Sequence, residues 1–240
     1  LLTACTQASS QSATTNNTAQ TTATSTSNSK TDSSNYFTDK DKDTSYDEST
    51  ASTVKLSGSS ASVAGDGVAV SGSTVTISKA GTYVISGESD GVQIKVEAGE
   101  SDDVHIILKG VTMTNTNAPI SATKAGHVYL TLAEGTTNTL SDSSSNNDED
   151  ADAVIFSKGD LTINGSGTLN IDAKKNNGIK ANDTLHITGG TYKITAVGDA
   201  FNVNDELNIT GTTMTIDADE DAVKVDNDED TSVGTMYLSD

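Results

Sequence analysis

Asp152, Asn177, Asp199 and Asp221 are spaced 25, 22 and 22 residues apart, and each precedes a small and then an apolar residue: Asp-Ala-Val, Asn-Gly-Ile, Asp-Ala-Phe, Asp-Ala-Val. If each interval is one turn of a solenoid, these side chains stack into a column. Carboxylates about 5 Å apart repel one another, and a divalent ion among them would convert that repulsion into cross-coil stabilisation. Calcium, with its six to eight oxygen ligands, is the expected ion. Asp219 and Glu220 flank the last member of the column, and Asp226 and Asp228 add acid just after the strand that follows it. Asp-x-Asp-x-Asp triplets begin at Asp39, Asp148, Asp217 and Asp226, but none completes an EF-hand loop. The sixth position is Thr44, Ala153, Ala222 or Thr231 instead of glycine, and the twelfth is Thr50, Gly159, Asp228 or Tyr237 instead of glutamate. The alternative for the same residues is a solvated acidic face that keeps the molecule in solution.

Short alternating runs broken by Gly, Asn and Asp must position this column. From about Val54 they read as strands, for example Val75-Thr-Ile77, Val92-Gln-Ile-Lys-Val96 and Val104-His-Ile-Ile-Leu108. Within the repeat, a first strand begins at Val154, Ile179, Phe201 and Val223, with inward partners at Phe156, Ala181, Val203 and Val225. A second carries Leu161, Leu185 and Leu207, then Ile163, Ile187 and Ile209, and ends at Gly165, Gly189 or Gly211. The third stacks Leu169, Tyr192 and Met214, which makes Tyr192 a core residue, followed by Ile171, Ile194 and Ile216. Three strands per turn of about 22 residues is the arithmetic of an all-β parallel β-helix. The turn after the first strand lines up Asn182, Asn204 and Asp226, types that tolerate tight bends. Leu140 to Asp152 reads as an acidic insertion on a corner. Because the last strand, Met236-Tyr-Leu238, has no polar cap, the chain is expected to continue beyond Asp240.

Composition agrees with a thin core: 33% of residues are hydrophobic and 4% aromatic, with one Pro and no Trp. The formal charge is -20, and beyond residue 50 there are 28 acidic residues against 11 lysines. This disfavours nucleic acid and anionic surfaces as partners. All 14 cationic side chains are lysines, so the two-pronged arginine clamp for carboxylates is absent. Lys174, Lys175 and Lys180 form a local basic stripe that could meet an acidic ligand. His105, His127 and His186 show no zinc-ligand spacing and are expected at the surface.

Cys5, the single cysteine, sits in Leu2-Thr3-Ala4-Cys5, which resembles a bacterial lipobox. Acylation of Cys5 would hold the protein at a membrane without crossing it. Residues 6 to about 50 are rich in Ser, Thr, Asn, Gln and Ala and read as a disordered tether, with Tyr36, Phe37 and Tyr46 solvated. Residues 1–50 would thus be lipobox remnant and tether, and residues 51–240 the folded domain.

The string from Ala153 to Ile171, with Asn176-Asn-Gly-Ile-Lys180 and Leu185-His-Ile-Thr-Gly-Gly190, resembles the carbohydrate-binding-domain family of surface lipoproteins common in clostridia. The likeness covers roughly residues 52–240. It implies a right-handed parallel β-helix that binds calcium and plant cell-wall polysaccharide, notably the acidic sugars of pectin, without cleaving it. The resemblance places calcium ligands at Asp152, Asn177, Asp199, Asp219 and Asp221, with Asp226 and Asp228 beside them. The expected protein is therefore a non-catalytic polysaccharide binder on the bacterial cell surface. The alternatives are a polysaccharide lyase, for which Lys158, Lys180 or Lys224 would have to serve as base, and an adhesin that binds protein.

Overall fold

The computed structural model describes residues 35–240; Cys5 and the tether from residue 6 to 34 lie outside them. Beyond residue 50 the chain is built of strands, and successive turns pair in parallel. Ala153–Ser157 pairs with Asn177–Ala181, Leu161–Gly165 with Thr184–Thr188, and Thr168–Ala173 with Thr191–Ala196. The same three pairings recur one turn later. The first strands of the turns form an eight-stranded sheet. The second and third strands form a thirteen-stranded sheet that curls round the core, joined through the long strand Asp103–Thr114. At that bend the buried Asn138 accepts from the N–H groups of Gly110 and Val111, both at 3.0 Å, and so satisfies donors that the ladder loses there.

The aliphatic ladders follow the alternation of a strand. Leu161, Leu185 and Leu207 stack, as do Leu169, Tyr192 and Met214, and all six are buried. Tyr192 is 1% exposed and spends its hydroxyl on the Gly189 carbonyl at 3.0 Å. The corner glycines are required at Gly165, which has φ of 97° and where a Cβ would lie 2.3 Å from the Leu132 carbonyl oxygen.

The first strand of the turn that opens at Asp152 is shifted by one residue from the expected register. Ile155, not Val154, stacks on Ile179, and Phe156 stands opposite Lys180 on the outer side. A one-residue shift turns every side chain over. Phe156 is nevertheless 4% exposed, because it packs with Ala118 and Ala151, the latter in the acidic insertion.

The expected tether ends earlier than residue 50. Residues 36–50 lie along the outside of the curled sheet, with a short 3-10 turn at Lys40–Lys42. Phe37 is 5% exposed and packs edge-on against His186, while Tyr36 stacks on Tyr237. Tyr46 and Ala51 pack on Val84, Ile107 and Ala133. These aromatic residues have no periodicity of their own, so their burial rests on contacts distant in the chain, more than 100 positions away for Tyr36 and Phe37.

Candidate functional site

The outer row of the eight-stranded sheet runs Lys180, Asn202, Lys224. Beside it, the backbone N–H groups of Asn182, Asn204 and Asp226 bond to Ser157, Ala181 and Val203, so these residues form a second row two residues on. Side chains on adjacent turns of a parallel ladder are about 4.8 Å apart. Together with Asn227, Asp228 and Glu229 the two rows line a groove of about 530 Å³. It offers ammonium groups, amides and carboxylates in a repeating order and almost no apolar surface. Such a surface suits a polar, periodic ligand.

Among the residues read as ligand-contacting, Lys180 lines this groove, half-buried and held 2.7 Å from Asp152. Lys174 is exposed, with its ammonium 3.5 Å from Asp172. Lys175 lines a separate hollow of about 350 Å³ under the insertion, with Asn146, Asp148, Glu149 and Asp152. The three lysines are therefore not one stripe. Lys224, considered at first only as a base, belongs to the groove.

The expected corner column contains Asn177, Asp199 and Asp221. Ala153, not Asp152, occupies the equivalent place in the preceding turn. Asn177 Oδ1 accepts from the N–H of Asp199 at 3.1 Å, and Asp199 Oδ1 accepts from the N–H of Asp221 at 3.0 Å. The second oxygen of Asp199 accepts from Asn202 Nδ2 at 2.7 Å. Asn177 and Asp199 are each 3% exposed, and their oxygens link successive turns. Asp152 lies on the neighbouring row, where Asn176 and Lys180 donate to it. Asp219, Glu220 and Asp221 are exposed at the outer corner, while Asp226 and Asp228 stand at the mouth of the groove. Among the described residues, no group of three or more acidic, histidine or cysteine side chains is arranged to hold a metal by itself.

An acidic row that the repeat alignment passed over follows the next corner. Asp205 N–H bonds to the Asp183 carbonyl, Asp160 accepts from Thr184 N–H, and Asn227 donates to Asp205. Partial burial, then the Asp160 and Asp205 carboxylates, push the pKa of Asp183 upward. The signal was an acid one or two places before Leu161, Leu185 and Leu207.

The histidines are not free surface residues. His105, Tyr129, Thr162, His186, Asn208 and Tyr237 form one continuous outer row of the curled sheet, which residues 36–43 cover. Thr162 donates to Asp41 Oδ1 at 2.6 Å, so His127 Nε2, 2.8 Å from the same hydroxyl, is the donor to it. His105 likewise donates to Thr131, which donates to Asn164, whose amide donates to the carbonyls of Asp41 and Asp43. Burial holds the pKa of both His105 and His127 below the usual histidine range, as neutral donors require. His186 differs: Nδ1 lies 3.2 Å from Asp41 and Nε2 3.4 Å from Glu206. Burial opposes its charge, but the two carboxylates outweigh burial and raise its pKa.

Residues 71–240 match the family model described as carbohydrate-binding domain-containing protein. A carbohydrate-binding domain-containing protein of Acetivibrio thermocellus is 39% identical over 126 residues, 50% of this chain and 44% of that protein. The chain thus matches less than half the length of that relative. The solved structure of the polysaccharide lyase-like protein from C. thermocellum, a gadolinium derivative, superposes with a TM-score of 0.75 at 33% identity, covering 78% of each chain. The all-β fold of curled parallel sheets is shared with that structure, and the chain belongs to the carbohydrate-binding domain-containing family.

Proposed function

We propose that the chain is a non-catalytic receptor for an acidic plant cell-wall polysaccharide of the polygalacturonate type, bound with calcium in the open groove. The observation that carries this reading is the repeating order of Lys180, Asn202 and Lys224 beside Asn182, Asn204 and Asp226. Lysines meet uronate carboxylates, and the amides bond to ring hydroxyls. A protein of charge -20 repels a polyanion at long range, so a divalent ion shared between the two would supply the missing attraction.

Calcium fits the donor set at the groove mouth, where Asp226, Asp228 and Glu229 stand beside the amides of Asn204 and Asn227. A shared ion needs only one or two protein carboxylates, because the glycan contributes the others. At the outer corner, Asp219 and Asp221 are the exposed carboxylates that could take a second ion across turns.

We take the winding as right-handed, the hand that nearly all crossovers between parallel strands adopt, which makes the rod a right-handed parallel β-helix. Acylation at Cys5 would place it on the bacterial cell surface. The test is a glycan array probed with calcium and again with chelator. Calcium-dependent retention on polygalacturonate alone, with no unsaturated product absorbance, is the expected result. Product absorbance would make the protein a lyase, and retention indifferent to chelation would remove calcium from the site.

A further inference from the structure

The covered row is built more like a binding site than like the back of a brace. All three histidines of the chain lie on it or beside it. His127 and Tyr129 stack at 4.1 Å, and the ammonium of Lys40 stands 4.7 Å above the Tyr129 ring. The segment that fills this trough does so chiefly with one carboxylate. Asp41 is 1% exposed, accepts from Thr162 at 2.6 Å and faces His186, and Thr188 donates to its carbonyl at 2.6 Å. Asn208 donates to the Tyr36 carbonyl at 3.0 Å. Hollows of about 240 and 300 Å³ flank the segment, the first beside His105 and Tyr129 and the second beside Tyr46 and Gly165.

We propose that this trough is a second acidic-glycan site and that residues 36–46 close it as a built-in pseudo-ligand, with Asp41 standing where a uronate carboxylate binds. The ring faces, hydroxyls and amide donors that now grip peptide are groups that grip a sugar ring, and His186 presents an imidazole nitrogen 3.2 Å from the carboxylate. The segment is short, its turn at Lys40–Lys42 is a single 3-10 turn, and its flanking ion pairs, Lys40 with Asp103 and Lys109 with Glu48, are about half exposed. A ligand with the same chemistry at higher local concentration would displace it. The proposal takes its ligand class from the proposed function but uses a different face.

The test is trigalacturonate calorimetry on the full chain, paired with amide exchange over residues 38–45. Asp41→Asn keeps the shape and removes the charge, while Phe37→Ala loosens the segment independently. In each, exchange is expected to be at least tenfold faster and one additional equivalent of trigalacturonate to bind. Adding Tyr129→Ala to Asp41→Asn should remove that equivalent alone. A loosened segment with no added equivalent, or a segment that stays closed in both variants, overturns the proposal. If the unsubstituted protein binds nothing and Asp41→Asn binds one equivalent, the open-groove reading fails and this one stands.

Discussion

Two outer faces of the same coiled ladder have opposite fates. The row Lys180, Asn202, Lys224 is left open and lines a polar groove, whereas the row Tyr129, Thr162, His186, Asn208 is covered by a segment that folds back along it. Both alternate with the same aliphatic interior, so the backbone does not distinguish them. The difference lies in what meets each row. Water solvates the lysines of the open row. On the covered row the polar atoms need defined partners, because an unpaired buried group costs about 1–3 kcal/mol. Thr162 and Asn164, both 0% exposed, find those partners in Asp41 and Asp43.

The comparison is erased most completely from inside. Phe201 is fully buried between Ile179 and Val223 and supports both faces. Phe201→Ala should cost about 3–5 kcal/mol, read as a fall in urea midpoint. Asp41→Ala should affect only the covered face, with a loss of about 1–3 kcal/mol and faster amide exchange confined to residues 36–48. An equal loss of protection over the open sheet would show that the faces are not independent.

Acidity offers a graded version of the same experiment. Asp41 and Phe37 face His186 from the covering segment, Thr162 and Asn208 flank it on the sheet, and Glu206 lies on the same neighbouring strand as Asn208. Because the pKa of His186 is raised, its proton stabilises the docked segment fully below about pH 6.5, and that contribution is lost as pH rises through the raised value. Burial would raise the pKa of Asp41, but the facing His186 and the hydrogen bonds from Thr162 and Thr38 outweigh it, so this carboxylate remains charged well into acid. Protection factors over residues 36–48 should therefore fall as pH rises above about 6.5, and His186→Gln should flatten the profile. Lys224→Ala, on the open face where its ion pair with Asp226 is a loose one, should change stability by no more than about 0.5 kcal/mol.

The interior was readable because its rule is local. Leu185 above Leu207 and Ile187 above Ile209 follow from a fixed interval and a period of two, and the stacked Asn182 and Asn204 follow from turn chemistry. Phe156 defeated the same rule, since a single-residue offset beside the acidic insertion turned it outward. Asp199 was correctly placed in a column, but its oxygens are engaged by Asp221 N–H and Asn202, which no spacing reveals. The covering segment was least legible. Phe37 and Asp41 lie in a polar, non-periodic stretch, and their partners His186 and Thr162 are specified only once the turns have stacked. Lys224 entered the groove for the same reason, through the register that sets it beside Asn202 and Lys180.

Binding of polygalacturonate to the intact protein and to the Lys180→Ala/Lys224→Ala double variant, in calcium and then in chelator, bears most directly on the open groove. Saturable binding that disappears on chelation and weakens at least tenfold in the double variant is the predicted result. Binding of equal strength in all four conditions, or none in any of them, would contradict it.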